Sequence, residues 1–158
     1  MNRFSIRILA GIAVLLLTAV PVAAHDHDHD HGSAAVELSL NNGTKWVGDA
    51  SLRHGMEQIR GALAEELPAL RSGNATPERM AALAARVNGA VAGMIQNCKL
   101  DARTDAMAHL VLAEIMAGAD ALAHAKSVTA GSAGAERIVK ALDNYQTYFE
   151  HPGWVGLK

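Results

Sequence analysis

Two groups of residues in this 158-residue chain could hold a metal ion. The first lies in Met94 to His109, M-I-Q-N-C-K-L-D-A-R-T-D-A-M-A-H, which carries the only cysteine, two methionines and a histidine around a tight reversal between two helical patterns. Met94 and Cys98 are four apart, so on a helix they share a face. Both fall in the apolar stripe Met80, Ala84, Val87, Val91, Met94, Cys98. A thiol, a thioether and an imidazole gathered at one end of a bundle suit a soft cation such as Cu(I). An ordinary reading stands beside this one. Methionine in a stripe fills cores, a lone cysteine packs as a small hydrophobe, and His109 has Asp105 four residues earlier as a hydrogen-bond partner.

The second group is His25 to His31, H-D-H-D-H-D-H. So polar and simple a tract cannot build a core, and histidine-rich tracts bind divalent metal. His25, His27, His29 and His31 are the candidate ligands. If the chain is cut after Ala24, the new amine, two backbone amides and the third-position imidazole of His27 suit the square-planar preference of Cu(II) or Ni(II). The alternative is a solubilising leader with incidental histidines.

Residues 1–24 read as a secretory signal. Arg3 and Arg7 precede the apolar run Ile8 to Val20, and Val22-Ala23-Ala24 is a small-residue cleavage site. The run is short for a membrane span of ~20 residues, and a retained anchor is the alternative. The expected product is periplasmic and off the membrane after cleavage. Loss of Arg3 and Arg7 leaves 12 basic against 16 acidic residues, a net charge of −4 with histidine neutral. That mild acidity argues against nucleic acid as a partner, since such partners call for a basic face. One cysteine in an oxidising compartment cannot form an internal disulfide. Cys98 is then buried, metal-bound or paired between two copies in a homodimer.

What must position these groups is helical. Residues 25–48 make a leader and connector, with a turn signal at Asn41-Asn42-Gly43 and Trp46 expected to anchor the chain on the domain. Residues 49–158 show four amphipathic patterns. The first covers Asp49 to Leu70, with Leu52, Met56, Ile59, Leu63, Leu67 and Leu70 inward, Asp49 as N-cap and Pro68 expected to kink or end the last turn. The second opens on Thr76-Pro77 and runs to about Cys98. The third covers Thr104 to Ala125, with His109, Leu112, Met116 and Ala119 on one stripe. The fourth covers Ala133 to Glu150, with Ile138, Leu142, Tyr145 and Phe149 inward, stopped by Pro152-Gly153. No run alternates at strand spacing. Short links between helices of similar length predict an all-α, antiparallel up-down-up-down four-helix bundle.

Counting ~1.5 Å per residue from each turn puts Met56, Met94, His109 and Tyr145 in one layer, with Cys98 a turn nearer the bundle end. The expected Cu(I) ligands are therefore Met56, Met94, Cys98 and His109. His54 is a solvent-side donor beside them, while His124 and His151 read as surface residues near helix C-termini.

With Leu52-Arg53-His54-Gly55-Met56-Glu57, Met107-Ala108-His109, Ile115-Met116 and Asn144-Tyr145-Gln146-Thr147-Tyr148, residues 51–149 resemble the periplasmic four-helix-bundle cytochromes, the soluble b-type cytochrome and cytochrome c-prime. In the b-type relative an early methionine and a late histidine ligate haem. Met56 matches the methionine, Gln146 stands at the histidine, and the C-x-x-C-H motif of cytochrome c-prime is absent. The resemblance implies a haem-less member whose cofactor end carries Met, Cys and His, as in small copper-handling proteins.

The function expected is a periplasmic metal-binding protein, copper first, that sequesters the ion or delivers it to a transfer partner. The alternatives are a b-type haem electron carrier using Met56, and a metal-free sensor or interaction bundle. No acid–base pair, Ser-His-Asp set or phosphate-cradling loop points to an enzyme.

Overall fold

The computed structural model describes residues 37–158, and these form four helices and two short strands in one compact unit. Residues 1–24, read above as a secretory signal, and His25, His27, His29 and His31 lie outside the described residues.

Strand β1 (Trp46–Val47) leads into α1 (Ala50–Arg71), followed by α2 (Pro77–Asn97), α3 (Ala102–Ala123), α4 (Val128–Tyr148) and β2 (Phe149–Glu150). Each helix starts where a short polar side chain satisfies its first free N–H groups. Asp49 accepts from the Leu52 amide, Thr76 from Arg79, Asp101 from Arg103 and Thr104, and Ser127 from Ala130. Pro77 occupies the first turn of α2, where its missing N–H costs nothing. Helix α1 does not stop at Pro68; it continues to Arg71.

Helices α3 and α4 begin earlier than their hydrophobic stripes suggest, because Asp101 and Ser127 supply the caps. Helix α4 then passes through Gly131 and Gly134, two residues that read as linker in the sequence. Their small size has a packing cause. A Cβ on Gly118 of α3 would lie 2.7 Å from the Gly134 carbonyl oxygen, and one on Gly134 would lie 2.9 Å from the Gly118 oxygen. The two backbones touch there.

Helix α1 packs on α2 and α4, and α3 packs on α2 and α4. The four inward faces make one core that includes Leu52, Met56, Ile59, Leu63, Met94, Ile115, Ile138 and Tyr145, all essentially unexposed. Two members of the expected α3 stripe are not inward: Met116 is 47% exposed and His109 is exposed as well, while Leu112 and Ala119 are buried. By length and composition alone α3 could cross a membrane, but its apolar side is spent on this core.

Strands were not expected. Trp46 pairs with Phe149 and Val47 with Glu150 in a parallel two-residue ladder. Trp46 is buried and its indole N–H donates to the Ser39 carbonyl at 2.6 Å, so it does anchor the incoming chain. Arg103 at the start of α3 stacks over the same indole. The tail beyond β2 lies along α1: His151 reaches Glu57, Arg60 lies over Trp154, and Arg71 donates to the Lys158 carbonyl.

Candidate metal centre

The start of α1, the end of α2 and the start of α3 meet at one place, and a single carboxylate joins two of them. Asp49 takes the Leu52 amide on one oxygen at 2.8 Å and the Lys99 amide on the other at 2.6 Å. The Cys98 thiol lies close enough to this carboxylate for each to shift the other's titration. Cys98 is not on α2 but caps it, with an extended backbone (φ −64°, ψ 140°) that turns the chain away after Asn97. The thiol thus leaves the helical stripe and points to the α1 cap.

Beside it is a cavity of about 80 Å³ lined by Leu52, Met94, Ile95, Cys98, Leu100, Asp105, Ala108, His109 and Leu112. Three of the four expected bundle ligands, Met94, Cys98 and His109, share this space. Met56 does not line it and is fully buried in the core. His109 is more exposed than its place beside Leu110 suggested, with 63% of its side chain open. Its Nδ1 sits 2.9 Å from the Asp105 carbonyl oxygen and 3.3 Å from the Asp105 carboxylate. Facing a carbonyl oxygen, which can only accept, Nδ1 is the donor in this contact, and Nε2 is the ring nitrogen left to face a metal.

Burial pushes the Cys98 thiol up to about 11, and the negative charges of Asp49 and Asp105 add to the effect. The thiol is therefore protonated at neutral pH. Those same carboxylates would favour a cation in the proton's place, since a metal ion displaces the thiol proton on binding. Asp49 itself is held below the usual carboxylate range: burial opposes this, but the amides of Leu52 and Lys99 and the Cys98 thiol outweigh it. Among the described residues no three His, Cys, Asp or Glu side chains form a group able to hold a metal. The set here has two such donors, Cys98 and His109, and the Met94 thioether as third.

Met94 is seated by a glycine. A Cβ on Gly55 of α1 would lie 2.5 Å from the Met94 sulfur, so only a bare α carbon lets the thioether rest there. Neither this contact nor the approach of Asp49 to Cys98 can be read from spacing, because each joins segments some forty or fifty residues apart. Tyr145 takes no part in the cavity. It is buried with its hydroxyl 2.9 Å from His151 Nδ1, and His151 Nε2 lies 3.2 Å from Glu57. His151 is therefore an interior residue, its side chain 7% exposed, and not the surface group its position near a helix end suggested. His124 is exposed, as expected, and bonded to Asp120.

No family model, curated protein or solved structure matches this chain.

Proposed function

We propose that this is an exported copper-handling protein that holds Cu(I) through Cys98, His109 and Met94. The observation that carries the reading is the convergence of those three side chains on one small cavity next to two carboxylates. Thiolate and thioether are soft donors that select Cu(I) over harder ions. Zinc in such a place calls for more thiolates or histidines than three mixed donors supply. The four helices run up-down-up-down in this reading. The Asp49 contact to Lys99, the bond from Ser51 to the Asn97 carbonyl and the bond from Ser132 to the Leu70 carbonyl support that order.

The cavity size argues for an ion and against a macrocycle. Ligand pockets run to roughly 300–1,000 Å³, and about 80 Å³ beside Cys98 admits an ion, not haem. In this reading the chain carries no haem, and Met56 is kept as core. His25, His27, His29 and His31 take divalent ions in this proposal, as a capture tail whose sites are separate from the Cu(I) centre of the bundle and whose ions pass to a periplasmic partner.

The test is competition with a chromogenic Cu(I) chelator. Cys98→Ser should lower Cu(I) affinity by orders of magnitude, and His109→Ala and Met94→Leu by less, while removal of residues 25–31 leaves it unchanged. Three point variants that hold Cu(I) like the parent would make Cys98 a plain buried thiol and end this reading.

A further inference from the structure

The Met94 side chain borders two spaces at once. On one side it closes the cavity of Cys98 and His109; on the other it floors an open groove of about 430 Å³ between α1 and α2, lined by Ser51, His54, Gln58, Gly89, Gly93 and Asn97 among others. Glycine inside a helix costs roughly 1 kcal/mol relative to alanine. Gly55 has a packing reason, since the Met94 sulfur occupies its side-chain space. Gly89 and Gly93 have none, because nothing lies within 4 Å of a Cβ built on either. What their bare α carbons do is keep the groove open down to a floor where the Met94 side chain, itself 1% exposed, lies beneath Gly55. His54 stands on its wall as an exposed imidazole.

From this we infer that the α1–α2 groove is the way in for Cu(I), with His54 as the receiving ligand and Met94 as the relay to Cys98 and His109. The inference rests on the copper reading above. The transfer is ligand exchange without redox change. Cu(I) first bonds to the His54 imidazole in place of a solvent or donor ligand. A bond to the Met94 sulfur then forms as the His54 bond breaks. Bonds to Cys98 and His109 follow, and the thiol proton leaves to water. A thioether suits the middle step because it binds soft ions and carries no charge that must be neutralised on release.

A receiving residue outside the final site, as His54 is here, changes rates and leaves the end point alone. Stopped-flow loading from a coloured Cu(I)–chelator complex should run about tenfold slower in His54→Ala, with equilibrium affinity within twofold of the parent. Gly93→Gln should also slow loading, since it fills the groove with a side chain that meets no atom within 4 Å at its base. It keeps every ligand and gains helix propensity. Parent-like loading in both variants would overturn the inference and leave the copper reading intact, with metal arriving directly past exposed His109. A fall in His54→Ala affinity matching its fall in rate would also overturn it, by making His54 part of the final site. A parent that takes up no Cu(I) would overturn both.

Discussion

The sulfur of Met94 rests where any side chain on residue 55 would have to be. Gly55→Ala must move it, and overpacking of this kind costs about 1–3 kcal/mol. Denaturant unfolding should show that loss, and chelator competition should show weaker Cu(I) binding in the same variant. Met56→Leu, one residue on, should behave differently. Its side chain is buried away from the cavity, so a volume-conserving change should cost under ~1.5 kcal/mol and leave Cu(I) affinity alone. The sequence distinguishes these neighbours poorly. Helical periodicity places Met56 and Met94 inward, and both are inward, but it cannot say which space an inward side chain borders. Cys98 and His109 were legible as a pair because a short reversal joins them, and residues on either side of such a turn meet whatever the rest of the chain does. Asp49 was legible only as a cap; its reach to Cys98 depends on how α1 and α2 lie together.

For the helices, the sequence was most informative where starts are chemically marked. Asp49 and Thr76-Pro77 announce α1 and α2 to within a residue. Helices α3 and α4 begin before their apolar stripes, since Asp101 and Ser127 cap turns whose residues look like linker. In α4 the misleading residues are Gly131 and Gly134, which read as flexible yet are there for contact. Gly118→Ala tests that contact. A methyl at that position meets the Gly134 carbonyl and Ile138, so the usual helix gain of about 1 kcal/mol for Gly to Ala should be reversed. A net loss of about 1–3 kcal/mol in urea unfolding is expected, and a stabilised variant would show that the helices do not touch there. The two-residue strands gave no signal, because two residues are too few to show alternation.

Across the molecule, the tail makes stability depend on pH. His151 sits between Tyr145 and Glu57 with Trp154 against its ring. Burial holds its pKa below the usual value, with Arg53 and Arg60 acting in the same direction and Glu57 opposing them. A histidine whose folded pKa is depressed binds protons more readily in the unfolded chain. Its contribution is complete above the unfolded value of about 6.5 and is lost as pH falls through the lowered folded value. The melting temperature should therefore drop between pH 7.5 and pH 5, and His151→Gln should flatten that part of the profile. An equal slope in the variant would place the pH dependence elsewhere.

The parallel pairing of Trp46 with Phe149 has a consequence for the order of folding. Each helix meets its sequence neighbour across a link of a few residues, so those contacts close short loops. The strand pair closes a loop of about a hundred residues between Trp46 and Phe149. Closure entropy grows only slowly with length, by about 0.6 kcal/mol per doubling, but the two ends must first be brought together by everything between them. The ladder is then among the last contacts to form, after the helical hairpins have set the places of Trp46 and Phe149. Its buried side chains record that the first and last helices have arrived side by side.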